Sequence, residues 1–175
     1  MAVRPTLQLG DPLLRTRCAE ITDLRAPETR RLAADLRDTL ADWVRRTTYG
    51  RGIAAPQIGA AVQMVCASLG DHRVLVNPVI TGRSEESWEA WEACLSFSVE
   101  IFCQVRRARW VDISYLSLGG ERHALRATGD LAHLLQHEID HLAGIVAVDR
   151  ITSIGTLCMR SEFERRHRDD SPYRR

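Results

Sequence analysis

Apolar residues recur at helical spacing in one long segment near the start of the chain. They lie three or four positions apart with arginines and aspartates between them, which is the pattern of a helix with one face on a core. Pro27 fits the first turn of such a helix, and the residues from Thr47 to Gly50 favour its end there. The segment predicts an N-terminal helix whose apolar stripe comprises Leu32, Leu36, Leu40, Trp43 and Val44.

A different pattern begins at residue 62, where short apolar runs alternate with polar positions. Such runs are typical of strands, and the pairs Gly70-Asp71 and Gly119-Gly120 are typical of the turns between them. The predicted strands span residues 62–68, 74–80, 85–93, 101–105, 109–115 and 123–127. Because they follow one another without intervening helices, the pattern favours antiparallel sheets. Residues 50–59, which precede them, are interpreted as a loop rich in small residues.

A second helical pattern follows the last predicted strand. Thr128 or Asp130 would cap its start, and Gly144 would end it. Its apolar positions are Leu131, Leu134, Leu135, Ile139 and Leu142. The order of helix, several strands and helix predicts an α+β fold, in which antiparallel β-sheets pack around this central helix and an N-terminal helix is added.

Length and charge limit the classes of protein that fit. The chain has 175 residues, which is about one domain. Residues 1–160 are expected to form that domain, and residues 161–175 form a charged C-terminal tail. The 24 basic and 23 acidic side chains nearly balance, which argues against a nucleic-acid-binding surface. No apolar run approaches the ~18 residues of a membrane helix, and the first residues lack the apolar region of a signal peptide.

Cysteine usage bears on the compartment. The chain has five cysteines, which are widely spaced and include no CxxC pair. An odd number with such spacing argues against a disulfide framework and favours free thiols in a reducing environment. Together with the lack of a targeting or membrane segment, this predicts a cytoplasmic protein.

The sharpest chemical feature is QHEIDH at residues 136–141, an HExxH pattern on the second predicted helix. His137 and His141 are four residues apart, so their imidazoles lie on one helical face and can hold one metal ion. Glu138 lies about 100° round the helix from His137, where its carboxylate can take a proton from water that the ion acidifies. The pattern therefore predicts a metal site with a general base beside it.

The spacing alone leaves the third ligand open. One class of zinc protease places a further histidine after a glycine downstream of HExxH, but Ala147 stands at that position. Glu162 and Glu164 are nominal downstream ligands, although they lie in the charged tail. Cys94, at the end of a predicted strand, is the upstream alternative, and a thiolate with two imidazoles would leave a fourth tetrahedral position for water.

His133 complicates the pattern, because it also lies four residues from His137. Leu134 follows it where a base would be needed. We therefore interpret His133 as a neighbour of the site or as a surface residue.

Three separated motifs resemble those of the peptide deformylase family, in the family's order. Residues 50–59, GRGIAAPQIG, resemble its first motif, GxGLAAPQxG. Residues 92–96, EACLS, resemble its second, EGCLS, and residues 136–142, QHEIDHL, resemble its third, QHExDHL. The opening segment at residues 10–15 and Asn77-Pro78 also fit, so the resemblance runs from about residue 9 to about residue 150.

The resemblance implies an activity, a cofactor and a set of site residues. The activity is removal of the formyl group from N-formylmethionyl peptides at the N-terminus of nascent chains, with the ribosome as a further partner. The cofactor is one divalent ion, ferrous iron in the family, for which zinc, nickel or cobalt can substitute. The Gln57 amide and the Leu95 N–H would stabilise the oxyanion. The implied metal ligands are Cys94, His137 and His141, the implied catalytic groups are Glu138, Gln57 and Leu95, and the implied substrate-binding residues are Gly50, Gly52, Ile53 and Ala93.

The chain departs from the family pattern at a few positions. Ala93 replaces the glycine before the cysteine, where its methyl group either crowds the substrate or points harmlessly away. Ile53 replaces leucine, a volume-conserving change. Phe97-Ser98 replaces an apolar residue and proline, and Arg106-Arg107 only loosely matches an arginine–proline step. We expect these changes to cluster where the cleft receives the substrate side chain.

Two other functions are open to a chain with these residues. The hydrolase could act on a specialised, non-ribosomal formylated substrate. Alternatively, the domain could hold a metal without catalysis and bind peptides or the ribosome. A binding domain needs neither Gln57 nor Glu138, so their presence disfavours it, and the sequence favours a deformylase of nascent chains.

Overall fold

The computed structural model describes residues 2–169 and 171–173, and its regular elements follow the predicted order. The helices are α1 (Pro27–Thr47), α2 (Gly129–Leu142) and α3 (Arg160–Arg166). The strands are β1 (Gly52–Ala54), β2 (Met64–Ser68), β3 (His72–Arg83), β4 (Ser87–Ala93), β5 (Ile101–Ala108), β6 (Trp110–Leu116), β7 (Arg122–Thr128) and β8 (Cys158–Met159). Short 3₁₀ turns connect several of these elements.

The strands form two antiparallel sheets. The larger sheet has the order β1-β2-β3-β6-β7, and the smaller has the order β4-β5-β8. β1 and β4 are therefore outer strands of their sheets, and each presents one edge that is not paired with another strand of its sheet. Gly52 of β1 and Ala93 of β4 line one cleft.

The second helix, α2, is central, as the sequence predicts. It packs against β1, β2, β6 and β7 of the larger sheet and against β5 of the smaller one. Its apolar side is buried with residues of the larger sheet: Ala132, Leu135 and Leu142 share a cluster with Val65 and Val111. Because the helix touches both sheets, the residues on its polar side lie between them.

The first helix, α1, covers a second region of the core. Leu36 and Leu40 are fully buried and share a cluster with Ile53, Met64 and Phe102. Burying a leucine contributes roughly 2 kcal/mol, so Leu36 and Leu40 anchor α1. Val44, which the predicted stripe also includes, is 37% exposed. The elements confirm the predicted α+β fold. No helix within the described residues combines the length and apolar character that crossing a bilayer requires.

Two strands, β1 and β8, are not indicated by a sequence pattern. β1 lies within residues 50–59, which we interpreted as a loop, and all three of its residues are buried, so it shows no alternation of polar and apolar positions. β8 has only two residues, which is too short for any pattern.

Residues 160–167, which include α3, fold onto the smaller sheet. Phe163 of α3 stacks on Phe102 with ring centroids 3.9 Å apart, and His167 stacks on Trp91 at 4.7 Å. The charges of α3 are largely paired within the helix, where Glu162 accepts hydrogen bonds from arginines of the next turn. A stretch with the composition of a charged tail therefore carries an apolar anchor.

Candidate metal centre

Three ligand-type side chains converge between the two sheets. Cys94 directly follows β4, and His137 and His141 lie one turn apart on α2. Cys94 Sγ and His137 Nε2 each lie 3.3 Å from His141 Nε2. The ligand atoms of the three residues all lie within 4.8 Å of one another, and all three side chains are buried.

This donor set fits a divalent metal ion. A soft thiolate and two imidazoles suit zinc or a first-row transition ion. Among the described residues, no fourth histidine, cysteine or carboxylate joins the group, so a bound ion would keep an open position. Burial lowers the pKa of His141 well below its usual range. The neutral imidazole is the form that binds a metal.

Glu92 of β4 orients the first of the two histidines. Its Oε2 lies 2.9 Å from His137 Nδ1, which directs Nε2 of the same ring toward the other ligands. Arg107 of β5 donates to both Glu92 oxygens, at 2.8 and 3.2 Å, and also pairs with Asp140 of α2. Burial opposes ionisation of Glu92, but the charges of His137 and Arg107 outweigh it and hold the carboxyl pKa well below its usual range.

Glu138 lies against β1 and is almost fully buried, with 3% of its surface exposed. Its Oε2 has no hydrogen-bond partner within the described part of the chain. A Cβ on Gly52 would lie 2.5 Å from Glu138 Oε1, so glycine is the residue that leaves room for this carboxylate. Burial raises the pKa of Glu138 to about 7, against the opposing charge at His137.

The Gln57 side-chain amide is fixed at both ends. Its Oε1 accepts from the Ala54 N–H at 2.8 Å, and its Nε2 donates to Ser96 Oγ at 3.2 Å and to Cys94 Sγ at 3.4 Å. Its Nε2 therefore lies beside the ligand sulfur. Leu95 is the first residue of the 3₁₀ turn after Cys94, which places its N–H next to the ligand.

A cleft of ≈ 470 Å³ that opens to solvent contains these groups. Of the residues that resemblance assigns to substrate binding, Gly50, Gly52 and Ala93 line it. The Ile53 side chain instead faces the core with 0% exposure. Because the whole residue is buried in the core and does not line the cleft, isoleucine in place of leucine changes the core packing and not the cleft surface.

The structure corrects the expectation for Phe97-Ser98. These residues do not line the cleft; Phe97 packs beneath it with Leu14 and Cys94. Ser98 has φ +51° and donates a hydrogen bond to Gln8 Oε1 at 2.8 Å. Proline cannot adopt a positive φ, so the backbone itself differs here from one with proline at this position. Of the positions expected to cluster at the substrate, Ala93 is the one that lines the cleft next to the ligand.

The structure also shows where the other candidate ligands, His133, Glu162 and Glu164, lie. His133 is a buried neighbour of the site and not a surface residue: it is 1% exposed, and its Nε2 lies 2.8 Å from Glu92 Oε1. Glu162 and Glu164 lie on α3 and pair with arginines there. The upstream cysteine is thus the third ligand-type residue that the fold brings to the histidines.

Glu92, Arg107 and Tyr173 contribute to the site, although no sequence pattern described above assigns a role to them. A signal for Glu92 existed, because it is an acidic residue between the apolar residues Trp91 and Ala93, near the end of the strand that leads to Cys94. Arg107 was noted only as a loose motif match. Tyr173, which lines the cleft, gave no local signal.

Comparisons with known proteins agree with this geometry. The sequence profile described as polypeptide deformylase matches residues 3–156. "Peptide deformylase 2" of Clostridium perfringens is 40% identical over 153 residues, which are 86% of this chain and 94% of that protein. The crystal structure of peptide deformylase from Thermotoga maritima has a TM-score of 0.80 at 29% identity, covering 87% of this chain and all (100%) of that one.

The chain is also similar to a solved structure of class I type b peptide deformylase from Acinetobacter baumannii with Met-Ala-Ser bound. The TM-score is 0.77 at 32% identity, and the match covers 86% of this chain and 99% of that one. The sequence profile, the similar relatives and the convergence of a thiol, two imidazoles and a buried carboxylate all point the same way. The chain belongs to the polypeptide deformylase family, metal-dependent hydrolases that remove the formyl group from N-formylmethionyl peptides.

Proposed function

We propose that this chain deformylates peptides with Cys94, His137 and His141 as metal ligands, Glu138 as general base and acid, and Gln57 and Leu95 as oxyanion donors. The observation that carries the proposal is the convergence of three features on a single cleft. They are the ligand group, an oriented amide, and a buried carboxylate whose Oε2 has no hydrogen-bond partner among the described residues. Gly50, Gly52 and Ala93 would bind the substrate main chain. They lie on or beside the edges of β1 and β4, and such strand edges suit an extended peptide.

A metal ion held by Cys94, His137 and His141 would supply Lewis-acid polarisation and would lower the pKa of bound water. Glu138 takes the proton of the water whose oxygen attacks the formyl carbon. Gln57 Nε2–H and the Leu95 N–H donate to the oxygen that becomes negative during attack. Glu138 then returns its proton to the nitrogen as the C–N bond breaks, which releases formate and a free amino terminus.

We further propose ferrous iron as the native ion. The support is the resemblance to the family, since a thiolate and two imidazoles suit zinc, nickel and cobalt as well. Metal analysis of protein purified without oxygen tests it: we expect about one iron per chain, and stoichiometric zinc under these conditions would contradict it.

The proposed physiological substrate is the N-terminus of a nascent chain, with the ribosome as the accompanying partner. Small and apolar residues, Gly50, Gly52, Ala93, Leu95 and Val99, line part of the cleft, as suits a peptide bearing an apolar first side chain. The five cysteines are free thiols, which fits the reducing compartment where translation occurs.

The deciding experiment measures formate release from formyl-Met-Ala by the iron-loaded protein, compared with unrelated formamides. We expect Glu138→Gln to keep the metal and the fold but to lose at least about 10²-fold in turnover, the usual scale for a positioned acid–base group. Glutamine still hydrogen-bonds water but cannot take its proton.

The matched control is Glu89→Gln, since Glu89 is a half-exposed residue of β4 that pairs with Arg106. It should retain wild-type turnover. Near wild-type formate release by metal-loaded Glu138→Gln would show that the base is a different residue.

A further inference from the structure

The segment after α3 turns back toward the substrate cleft. The Tyr173 N–H donates to Ser171 Oγ at 3.2 Å, and Arg168 Nε donates to the Tyr173 carbonyl oxygen at 3.3 Å. Ser171 is 4% exposed and donates to the Arg168 carbonyl at 2.6 Å. These bonds form a compact turn that presents the Tyr173 side chain to the cleft.

The ring of Tyr173 sits on a cluster of aromatic residues. Its centroid lies 5.6 Å from those of Tyr49 and Phe102 and 5.9 Å from that of Phe163. The edge-on arrangement with the two phenylalanines is a favourable geometry for aromatic pairs. The Arg51 guanidinium carbon lies 5.4 Å from the Tyr173 centroid, which is within cation–π range. The side chain is therefore held in place from several directions.

The hydroxyl of Tyr173 accepts a hydrogen bond from the Ala93 N–H at 3.1 Å. Ala93 is the last residue of β4, and β5 is the only strand that pairs with β4 in the described sheets. This N–H therefore belongs to the open edge of β4, one residue before Cys94. Arg51, on the other side of the ring, directly precedes β1. Tyr173 thus reaches across the gap between the two sheet edges.

We propose that Tyr173 sets the affinity of the cleft for peptide. Its hydroxyl accepts the hydrogen bond of the Ala93 N–H at the β4 edge, which would otherwise be donated to a peptide carbonyl. A peptide therefore binds in competition with this side chain. An extended peptide that joins a sheet edge binds through main-chain amides of this kind. The inference rests on the proposed function, because it concerns the substrate of the same cleft. Tyr173 contacts Ala93, Arg51 and the aromatic cluster, so it acts on binding and not on the proton transfers.

The test compares full-length, metal-loaded wild type with Tyr173→Phe, which keeps the ring and removes the hydroxyl. We expect KM for formyl-Met-Ala to fall about 2–10-fold, the effect of one ordinary hydrogen bond, with kcat unchanged. The matched control is Tyr115→Phe, which removes the hydroxyl of a buried tyrosine of β6 that stacks on His123. That control should leave KM unchanged.

A second readout does not depend on turnover. Calorimetric titration with the product-like tripeptide Met-Ala-Ser should give a Kd for Tyr173→Phe that is lower by the same factor as KM. Tyr173→Ala should lower the Kd further and also lower Tm, because the aromatic contacts are lost.

Unchanged or raised KM and Kd in Tyr173→Phe, at a Tm equal to wild type, would overturn the inference. A structural role alone predicts that outcome, since removing a structural hydrogen bond does not improve binding. If no variant released formate, the proposed function would fail, and the Met-Ala-Ser titration would still decide whether Tyr173 competes for the cleft.

Discussion

Gly52 lies so close to the Glu138 carboxylate that residue 52 has no room for a side chain. The glycine belongs to β1 and the glutamate to α2, so the contact joins the two elements at the proposed general base. A Cβ at residue 52 would lie 2.5 Å from Oε1 and 2.7 Å from Cδ of Glu138. A side chain at residue 52 would therefore displace the buried Glu138 carboxylate, which is the proposed general base.

We therefore predict that Gly52→Ala loses about 10²-fold in turnover, the scale of misplacing a catalytic group by about 1 Å. The expected cause is a displaced carboxylate and not an unfolded chain. Formate release and Tm measured on the same preparation distinguish the two causes.

The control for this change is Gly119→Ala in the β6–β7 hairpin. A Cβ there would meet only Ser117 Oγ, at an ordinary 3.5 Å. It should keep wild-type turnover. Full activity in metal-loaded Gly52→Ala would mean that Glu138 has another productive position.

At the scale of elements, one buried arginine connects β4, β5 and α2. Arg107 on β5 is 4% exposed and pairs with Glu92 of β4, which is 3% exposed, and with Asp140 of α2. Attraction to the two carboxylates raises the pKa of Arg107 against the opposing effect of burial. Removing one partner of such a buried group leaves charge without compensation, which is strongly destabilising.

We predict that Arg107→Met lowers the free energy of unfolding by roughly 3 kcal/mol. It should also reduce metal content, because Glu92 would lose the partner that holds it beside His137. Chemical denaturation and metal analysis check the two effects.

Arg106 on the same strand provides the matched control. It pairs with Glu89, but its side chain is 64% exposed, and exposed ion pairs contribute little, about 1 kcal/mol at most. Arg106→Met should therefore change the stability by less than that. Equal effects of the two substitutions would show that the buried network does not carry the stability assigned to it.

At the scale of the whole molecule, a metal ion would tie the smaller sheet to the central helix. Cys94 follows β4, whereas His137 and His141 lie on α2, which packs mainly on the larger sheet. An ion that binds the folded chain and not the unfolded chain stabilises the fold by mass action. Stability should therefore depend on metal.

We predict that chelation lowers the Tm of the wild type, and that Cys94→Ala holds less than a tenth of the wild-type metal after dialysis. Tm of Cys94→Ala should not respond to the chelator. Calorimetry and elemental analysis measure both properties.

Cys66→Ala is the control, because Cys66 is a buried cysteine of β2 outside the ligand group. It should keep both the metal and the response to chelation. Wild-type metal content in Cys94→Ala would remove the cysteine from the ligand set.

The features that depend on nearby residues were predictable from the sequence. The stripe of α1 and the HExxH pair on α2 repeat with the period of one helix, so the residues that share a face follow from the backbone geometry. Six of the eight described strands and the α+β class followed from alternation and turns, whereas the order of the strands within each sheet did not. The departure at Phe97-Ser98 was visible in the sequence, but its place beneath the cleft was not.

Other features were decided only when the elements packed. Cys94 and the histidines come from separate parts of the chain, and spacing alone left the glutamates of α3 as alternatives. The enclosure of Glu92 by His133 and Arg107, the meeting of the β1 and β4 edges, and the return of Tyr173 to Ala93 all depend on how both sheets pack against α2. Sequence periodicity tells which face of an element is buried, but the partner of that face is selected by the long-range packing of the whole chain.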